Sequence, residues 1–261
     1  MGKLDGKVAL IFGGTSGIGE ATAILYAKEG AQVAIVGRNE DKANKILHTI
    51  AEHGPKGLFV KADLNEGQSI KDAVQTTLDH YGKIDILYNG AGILDNYDPI
   101  QDTDEALFDD VIRLNLKAPW LATKAVVPQM IERGSGVIIN IASQATGMVG
   151  VGGTPYMSSK YGLVGMTRQL AHELGPKGIK VNTLSPGFID TPMTETVTDK
   201  RLEKSPLGRP GQPDEIAKTA LFLSSDDSDY IQGINLIQDG GWTLGGYPVD
   251  LKKGVSADVK R

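Results

Sequence analysis

The sequence predicts a single α/β domain: a single doubly wound parallel sheet with helices on both faces. Short β-branched runs alternate with longer segments in which apolar residues recur at helical spacing. The runs are continuously apolar, which is typical of strands covered on both faces. Repeated β-α units with right-handed crossovers build such a sheet. We expect the domain to cover residues 1–246 and a C-terminal tail to follow at 247–261.

The elements follow one another along the chain with recognisable start signals. Asn39, followed by two acidic residues, is predicted to be an N-cap, and Asp102 is predicted to begin a long helix running to about Arg133. A second long helix is expected at Pro155–Leu174, and the Pro- and Gly-interrupted segment Ser185–Gln212 is expected to be a binding loop or lid. The predicted strands lie at Lys7–Phe12, Gln32–Val36, Gly57–Lys61, Ile84–Tyr88, Val137–Ile141, Lys180–Leu184 and Ile234–Ile237.

Composition narrows the class of protein. The 27 basic and 32 acidic side chains leave a net charge of −5, which argues against nucleic acid or an anionic membrane as a partner. The apolar runs are strand-sized, far short of the roughly 20 residues of a spanning helix, and no signal peptide is recognised. With no cysteine, a cytoplasmic location is expected. No metal site is expected, because the histidines lack ligand spacing: His48, His53, His80 and His172.

A glycine-rich turn directly follows the first strand. In "FGGTSGIG", Gly13, Gly17 and Gly19 precede a segment with helical spacing. Glycines let the backbone approach a phosphate, and a helix N-terminus supplies N–H groups and partial positive charge. The strict G-x-G-x-x-G pattern is absent because Thr22 occupies the last position, so a tight turn without a ligand stays open as the alternative. The position after strand one favours a nucleotide site.

The end of the second strand predicts the type of nucleotide. Sites for NAD commonly place an acid there to bind the ribose 2′-hydroxyl, whereas an arginine accommodates a 2′-phosphate. Gly37 stands where the acid would be, and Arg38 follows it. The sequence therefore predicts NADP(H), preferred over NAD(H). The alternative is that Arg38 is a solvated residue preceding a helix cap.

The stretch "YMSSK" places Tyr156 and Lys160 four residues apart, which is one face of a helix. An ammonium beside a phenol is expected to lower its pKa, so that the tyrosine can exchange a proton. Ser143 ends the fifth strand, where it can donate to a carbonyl oxygen as charge develops. Asn115 lies in an otherwise apolar helical segment and either bonds the backbone or serves the site. Alone, Tyr156 and Lys160 would be an ordinary exposed pair.

Taken together, these motifs resemble the classical short-chain dehydrogenase/reductase family over the chain up to about Gly241. The family loop T-G-x-x-x-G-x-G is matched except that Phe12 stands in the threonine position, and the family's N-N-A-G is "NGAG", with Gly90 for the second asparagine. The resemblance implies a Rossmann-type fold. It implies cofactor contacts at Gly13, Ser16, Gly17, Ile18, Gly19, Arg38, Asp63, Leu64, Asn89, Tyr156, Lys160, Ile189 and Thr191. Taken alone, Asp63 reads as a loop cap, and Asn89 has either a cofactor-side or a sheet-supporting role.

The same resemblance implies a catalytic set of Asn115, Ser143, Tyr156 and Lys160. Tyr156 would donate the proton, Ser143 would hold the carbonyl oxygen, Lys160 would grip the nicotinamide ribose, and Asn115 would hold a water on the proton path. The family also implies a substrate lid from Met193 to about Gly208, and a homotetramer or homodimer formed through the two long helices.

The sequence thus predicts an oxidoreductase that transfers a hydride between NADP(H) and a carbonyl or secondary alcohol, a small-molecule substrate. Two alternatives stay open: a 3-oxoacyl-acyl-carrier-protein reductase, and a non-catalytic NADP-binding sensor or scaffold. A serine hydrolase is set aside because no G-x-S-x-G elbow is present. By loop position, the expected pocket walls are Leu94, Gln144, Met148, Val149 and Met193.

Overall fold

The computed structural model describes residues 2–195 and 206–244. The predicted tail, 247–261, and most of the predicted lid lie outside the described residues. One seven-stranded sheet runs through the described chain, all parallel, in the order β3-β2-β1-β4-β5-β6-β7. The strands are β1 Val8–Phe12, β2 Gln32–Gly37, β3 Leu58–Lys61, β4 Ile86–Asn89, β5 Gly136–Ile141, β6 Ile179–Pro186 and β7 Asn235–Gln238. The predicted α/β fold class is confirmed, with small shifts in strand bounds.

Helices cover both faces of the sheet. They are α1 Gly17–Lys28, α2 Glu40–His53, α3 Gly67–Tyr81, α4 Glu105–Ile112, α5 Ala118–Arg133, α6 Thr154–Leu174 and α7 Pro213–Ser224. One core cluster packs α1, α2 and α7 on one face, and a second packs α3 and α5 on the other. Strand β1 contributes to both: Ala9 and Ile11 to the first, Leu10 and Phe12 to the second. This two-sided burial is what the continuous apolar runs indicated.

The start signals were right at one helix and wrong at another. The Asn39 side chain accepts a hydrogen bond of 2.9 Å from the Lys42 N–H, so it is the N-cap of α2. The long helix, however, begins at Glu105 with Asp104 as its N-cap, because Asp102 ends a separate short 3₁₀ turn. The two acids are two residues apart, and the sequence alone does not show which one has extended backbone.

The site is positioned by the strand order. Strands β2 and β3 extend the sheet on one side of β1, and β4 to β7 extend it on the other, so the strand order switches between β1 and β4. The carboxyl ends of these two strands are held in register, with Phe12 opposite Asn89. Open parallel sheets bind ligands in the crevice at such a switch point. The loops after β1, β4, β5 and β6 therefore converge on one edge of the sheet.

Candidate active site

A cleft of about 680 Å³ opens at this edge. Loops after several strands contribute to it, and it runs from the glycine turn to the beginning of α6. Its volume falls in the range of ligand and cofactor sites, roughly 300–1,000 Å³. Its walls include these predicted cofactor or catalytic residues: Gly13, Ser16, Gly17, Ile18, Gly19, Arg38, Asp63, Leu64, Ser143, Tyr156, Lys160, Ile189 and Thr191.

The glycine turn leaves an open cradle at one end of the cleft. Gly13 and Gly17 have φ values of +80° and +54°, conformations that favour glycine. A Cβ at Gly13 would lie 2.7 Å from the Ala91 amide nitrogen, and one at Gly19 would overlap the Gly13 carbonyl oxygen. The first N–H groups of α1 have no acceptor within the helix. The geometry fits a diphosphate seated on the backbone and the helix N-terminus.

At the rim of this cradle, the glycine that ends β2 lies too close to Thr15 to leave room for an acidic side chain. A Cβ at Gly37 would lie 2.6 Å from Cγ2 and 2.7 Å from Oγ1 of Thr15, so a carboxylate side chain there would displace Thr15. Arg38 next to it is exposed and lines the cleft, and no hydrogen bond or ion pair of its side chain is found among the described residues. Thr15 thus occupies the space that an acidic side chain at residue 37 would need, and the neighbouring Arg38 guanidinium lines the cleft.

Two of the predicted nucleotide residues have other partners. Asp63 Oδ1 accepts from the Asn65 backbone N–H at 3.0 Å and from its side-chain amide at 3.1 Å, so this carboxylate caps its own loop. Asn89 does not line the cleft. Its amide donates to Asn140 Oδ1 at 2.8 Å, and Asn140 donates on to Thr167 at 2.9 Å. Of the two roles expected for Asn89, these bonds show the sheet-supporting one.

The departure at Gly90 has a steric cause. A Cβ at this position would overlap the ring of Tyr88, which is fully buried. The aromatic ring thus occupies the space into which a side chain at residue 90 would extend. On another side of the cleft, Thr191 packs against the glycine turn, since a Cβ at Gly17 would lie 3.2 Å from Thr191 Cγ2.

The opposite end of the cleft is built from side chains. Ser143, at the N-terminus of a short 3₁₀ turn after β5, accepts a hydrogen bond of 3.2 Å from the Ala145 N–H. Tyr156, in the first turn of α6, lines the same cleft, and the Ser143 hydroxyl is close enough to the phenol to lower its pKa. The structure thus brings the two residues together at this end of the cleft.

Lys160 lies one turn further along α6. Its ammonium is 5.6 Å from the centroid of the Tyr156 ring and donates to the Ile141 carbonyl at 3.0 Å. Burial lowers the pKa of Lys160 to about 8. The same helical face thus buries both a phenol and an amine beside the end of β5.

The pKa of Tyr156 moves opposite to the expected direction. Burial raises it to about 12, the nearby Ser143 hydroxyl opposes the increase, and Tyr97 and Asp95 add to it. Desolvation of the phenolate is larger than any opposing contribution, and Lys160 is itself a desolvated amine with a weakened hold on its proton. Burial of the phenolate thus outweighs the lowering that was expected from the neighbouring ammonium.

Asn115 is held in a π-helical turn, Arg113–Lys117, between α4 and α5. Its amide bonds Ile93 twice, accepting from the N–H and donating to the carbonyl, each at 2.9 Å. A point at the Cβ position of Gly92 would be 3.1 Å from Asn115 Oδ1 and 3.5 Å from Lys160 Nζ. The buried asparagine and the lysine therefore approach one another at Gly92, and π turns often occur at such functional positions.

A polar ring that the sequence analysis missed holds the Ser143 turn in place. Thr146 donates to the Ser143 carbonyl at 2.8 Å and lies 3.2 Å from the Ser185 hydroxyl. Ser185 donates to Asn235 at 2.6 Å, and Asn235 donates back to Thr146 at 2.8 Å. The ring joins β5, β6 and β7, which are far apart in sequence, so no local spacing could have indicated it.

The substrate walls were predicted in part. Leu94, Gln144 and Met193 line the cleft, and Gln144 Oε1 is buried with no hydrogen-bond partner in the described structure. Met148 and Val149 do not line it, and Val149 is 79% exposed. The turn after the 3₁₀ segment directs Gly150 and Val151 inward instead. Further wall residues that were not predicted are Tyr97, Val151, Phe188 and Trp242.

Comparison with known proteins identifies the family. The family described as enoyl-(acyl carrier protein) reductase matches residues 13–243. The chain is 42% identical to the (2S)-[(R)-hydroxy(phenyl)methyl]succinyl-CoA dehydrogenase subunit BbsD of Thauera aromatica, over 92% of this chain and 98% of that one. It is 41% identical to the 3-oxoacyl-[acyl-carrier-protein] reductase FabG of Thermotoga maritima, over 93% and 100%.

Solved structures give the same result. Levodione reductase superposes with a TM-score of 0.88 at 33% identity, covering 93% of this chain and all of that one. A Beutenbergia cavernae structure with bound NADP gives 0.87 at 33% identity, covering 93% and 98%. The chain belongs to the short-chain dehydrogenase/reductase family, whose members bind nicotinamide cofactors, and the relatives named here are oxidoreductases.

Two features are absent from the described residues. No described helix is both long and apolar enough to span a bilayer. Nor do the described residues contain a group of three or more histidine, aspartate or glutamate side chains arranged to hold a metal ion.

Proposed function

We propose that this protein is an NADP(H)-dependent oxidoreductase that interconverts a ketone and a secondary alcohol. The observation that carries the proposal is that Ser143, Tyr156 and Lys160 line the cleft that continues from the glycine cradle, with the Lys160 ammonium 5.6 Å from the centroid of the Tyr156 ring. A bound nicotinamide would supply or accept the hydride. The cradle at Gly13–Gly19, with Arg38 at its rim, holds the nucleotide.

Ser143 and Tyr156 act on the substrate oxygen. In reduction, the Ser143 hydroxyl donates a hydrogen bond to the carbonyl oxygen as negative charge develops there. The phenol of Tyr156 donates the proton that completes the alcohol. Because burial raises the pKa of Tyr156 to about 12, the phenol is fully protonated at neutral pH and ready to act as the acid. In oxidation the same group must first lose its proton, so positive charge near the phenol matters most in that direction.

Lys160 and Asn115 assist the transfer of the proton between Tyr156 and solvent. Lys160 carries the cationic charge near the ring and binds the nicotinamide ribose, and its pKa near 8 lets it exchange protons close to physiological pH. Asn115, held by Ile93, orders a water between Lys160 and solvent. Tyr156 is thereby connected to bulk water through residues of its own helix and of the π turn.

The proposed preference for NADP(H) over NAD(H) is based on the residues at the rim of the glycine cradle. A 2′-phosphate needs a cation and no neighbouring carboxylate, and Arg38 beside Gly37 and Thr15 offers this combination. A structural relative from Beutenbergia cavernae contains bound NADP, which is in line with the assignment.

The substrate is a small carbonyl compound or alcohol. The relatives include a cyclohexanol dehydrogenase from Acinetobacter and the FabG reductase, so cyclic alcohols and acyl thioesters both occur among them. A reductase of carrier-bound acyl groups is the second candidate, favoured by the 41% identity to FabG. Among the described wall residues, the basic ones are Arg38, at the nucleotide end, and the buried Lys160, so these residues form no basic docking patch.

The assembly we propose is a homotetramer or homodimer, cytoplasmic, with no nucleic-acid or membrane partner. Exposed aromatic side chains lie on three consecutive helices: Phe108 on α4, Trp120 on α5 and Tyr161 on α6. Such side chains on the outer faces of the two long helical segments are suited to contact a second copy. Light scattering of the purified protein tests the assembly.

The experiment that tests the reaction is a panel of ketones, 3-oxoacyl thioesters and secondary alcohols, assayed with each cofactor by the absorbance of reduced nicotinamide. We expect NADPH to be consumed with at least one carbonyl class and faster than NADH. Tight NADPH binding without turnover on any member of the panel would support the sensor or scaffold instead. Turnover confined to carrier-linked substrates, and lost at high salt, would support the carrier-protein reductase.

A further inference from the structure

Asp95 is a buried carboxylate without a cationic partner. It lies in the loop after β4, is 7% exposed, and forms no salt bridge among the described residues. A carboxylate in such a place is costly unless backbone N–H groups satisfy it. Two of its bonds reach the N-terminus of the helix that carries Tyr156.

These bonds cap α6 from another loop. Asp95 Oδ1 accepts from the Gly153 N–H at 2.8 Å, and Oδ2 accepts from the Tyr156 N–H at 2.9 Å. Gly153 is the N-cap residue and has no side chain with which to cap. Pro155 has no N–H group. Asp95 therefore satisfies the N-cap and third-position donors, the same two that a capping box within one helix satisfies.

Close approach of the carboxylate requires the glycine. A Cβ at Gly153 would lie 2.8 Å from Asp95 Oδ2, too close for an ordinary contact. The α6 N-terminus and the carboxylate thus fit together as a unit.

The loop that carries Asp95 is itself fixed at both ends. Asn115 bonds Ile93 through both backbone groups, and Asp95 Oδ1 accepts from the Tyr97 N–H at 3.2 Å. Tyr97 has a φ of +61°, an unusual value for a residue with a side chain, and its hydroxyl donates to the Val151 carbonyl at 3.3 Å. The loop after β4 is thereby clamped to the segment that leads into α6.

We propose that Asp95 is a positioning residue for the reaction: by capping α6 across the cleft it fixes the backbone that holds the Tyr156 phenol in the cleft beside Ser143. The proposal rests on the acid–base role of Tyr156 in the proposed function. Geometry carries it, because the Tyr156 N–H is one of the two capped donors. A small displacement of a catalytic group can cost up to about 10²-fold in rate.

The charge of Asp95 gives this role a distinct signature. The groups around the Tyr156 phenol are the Ser143 hydroxyl, which lowers its pKa, Asp95 and Tyr97, which raise it, and the Lys160 ammonium, 5.6 Å from the ring centroid. Removing the negative charge therefore moves the pKa of Tyr156 downward. A residue that only stabilised the fold would not move it.

The test compares wild-type protein with Asp95→Asn, which keeps the shape and removes the charge. We expect kcat for ketone reduction to fall about tenfold or more, because the two N–H groups are bound by different carboxylate oxygens and an amide has only one oxygen. In alcohol oxidation, the pH at which kcat/KM rises should move to lower values. The Kd for NADPH should stay unchanged, since Asp95 is not among the residues that line the cleft.

Two further variants keep the test decisive. Asp95→Glu retains the charge and shifts the carboxylate, so kcat should fall while the pH profile stays in place; it also serves if Asp95→Asn does not fold. Asp104→Asn is the matched control, since Asp104 caps α4 within its own helix and is exposed. It should leave both kcat and the profile as in wild type.

The outcomes separate the two proposals. If Tyr156→Phe abolishes turnover while both Asp95 variants keep wild-type kcat and profile, the positioning role is wrong and the proposed function stands. An equal loss in Asp95→Asn and Asp104→Asn with no shift in profile would reduce Asp95 to a general stabiliser. If Tyr156→Phe retains turnover, the proposed function itself fails.

Discussion

The two ends of the cleft are built from different material. The nucleotide end is backbone: glycines at 13, 17 and 19 leave space, and the first turn of α1 supplies N–H groups. The catalytic end is side chain: Ser143, Tyr156, Lys160 and Asn115 come from three separate segments and are all buried or half-buried. In the proposed function, the nucleotide end binds its ligand because the missing side chains let the backbone approach it. The catalytic end acts through buried polar side chains that are held in place.

This difference determines how each end responds to substitution. At the catalytic end, a change should remove activity while the nucleotide still binds. At the glycine end, an added atom should impair nucleotide binding first. Substitutions at the two ends, made in the same protein and measured by the same pair of assays, can therefore confirm or break the contrast.

The largest effect among these is expected at Lys160. Lys160→Met keeps the length of the side chain and removes the charge near the phenol. Loss of a group that assists proton transfer costs roughly 10²- to 10⁴-fold, so we expect kcat/KM to fall by about that factor. In alcohol oxidation, the remaining activity should need a higher pH, because the phenolate loses a nearby cation. Steady-state kinetics between pH 6 and pH 10, roughly the range around the lowered pKa of Lys160, measures both the fall in kcat/KM and the change in its pH dependence.

The same variant makes a prediction about stability. Burial lowers the pKa of Lys160 to about 8 from an unfolded value of 10.5. Between these values the unfolded chain binds the additional proton, so the wild-type protein should gain stability with rising pH relative to Lys160→Met. Thermal melts of both proteins across this window test the sign, with the exposed Lys71→Met as control. A wild-type rate in Lys160→Met would contradict the role of Lys160.

A smaller effect is expected at Gly19. In Gly19→Ala the new methyl group would overlap the Gly13 carbonyl oxygen, so the turn must open. We expect the Kd for NADPH to rise by about tenfold or more, which corresponds to about 1.4 kcal/mol. The control is Gly165→Ala on α6, where a Cβ meets open space. It should bind NADPH normally and melt at an equal or higher temperature, since alanine favours a helix interior. Unchanged binding in Gly19→Ala would mean that the phosphates do not sit on this turn.

The smallest change concerns cofactor choice. Arg38→Ala removes the guanidinium and leaves Gly37 and Thr15 in place. The ratio of kcat/KM with NADPH to kcat/KM with NADH should fall by about tenfold, through a higher KM for NADPH, as expected for the loss of a charge-assisted hydrogen bond to phosphate. Arg168→Ala, which removes an exposed arginine of α6 that does not line the cleft, serves as the control. A ratio that does not change would remove Arg38 from the nucleotide site.

Much of the fold and of the backbone-built end could be predicted from sequence. All seven strands were predicted because each is a continuous apolar run in a sheet covered on both faces. The glycine turn was predicted because its requirement is local: three glycines between a strand and a helix. The pairing of Tyr156 with Lys160 is also local, since one helical turn separates them.

What could not be predicted depends on contacts distant in sequence. Asp95 caps a helix that begins 59 residues later, and Asn89 is turned into the sheet by Asn140, 51 residues away. The direction of the Tyr156 pKa was missed because spacing to Lys160 shows the neighbouring cation but not the burial of the phenol. Asp102 and Asp104 could not be separated as caps, because both precede the same helix.

The central claim is that Tyr156 exchanges the proton with the substrate, and one paired substitution tests it most directly. Tyr156→Phe removes only the buried hydroxyl, and Tyr161→Phe removes an exposed one from the same helix. The measurement is kcat/KM for ketone reduction beside the Kd for NADPH. Tyr156→Phe should bind NADPH as wild type does and lose roughly 10²- to 10⁴-fold in kcat/KM, while Tyr161→Phe keeps both values. Near-wild-type turnover in Tyr156→Phe would contradict the claim.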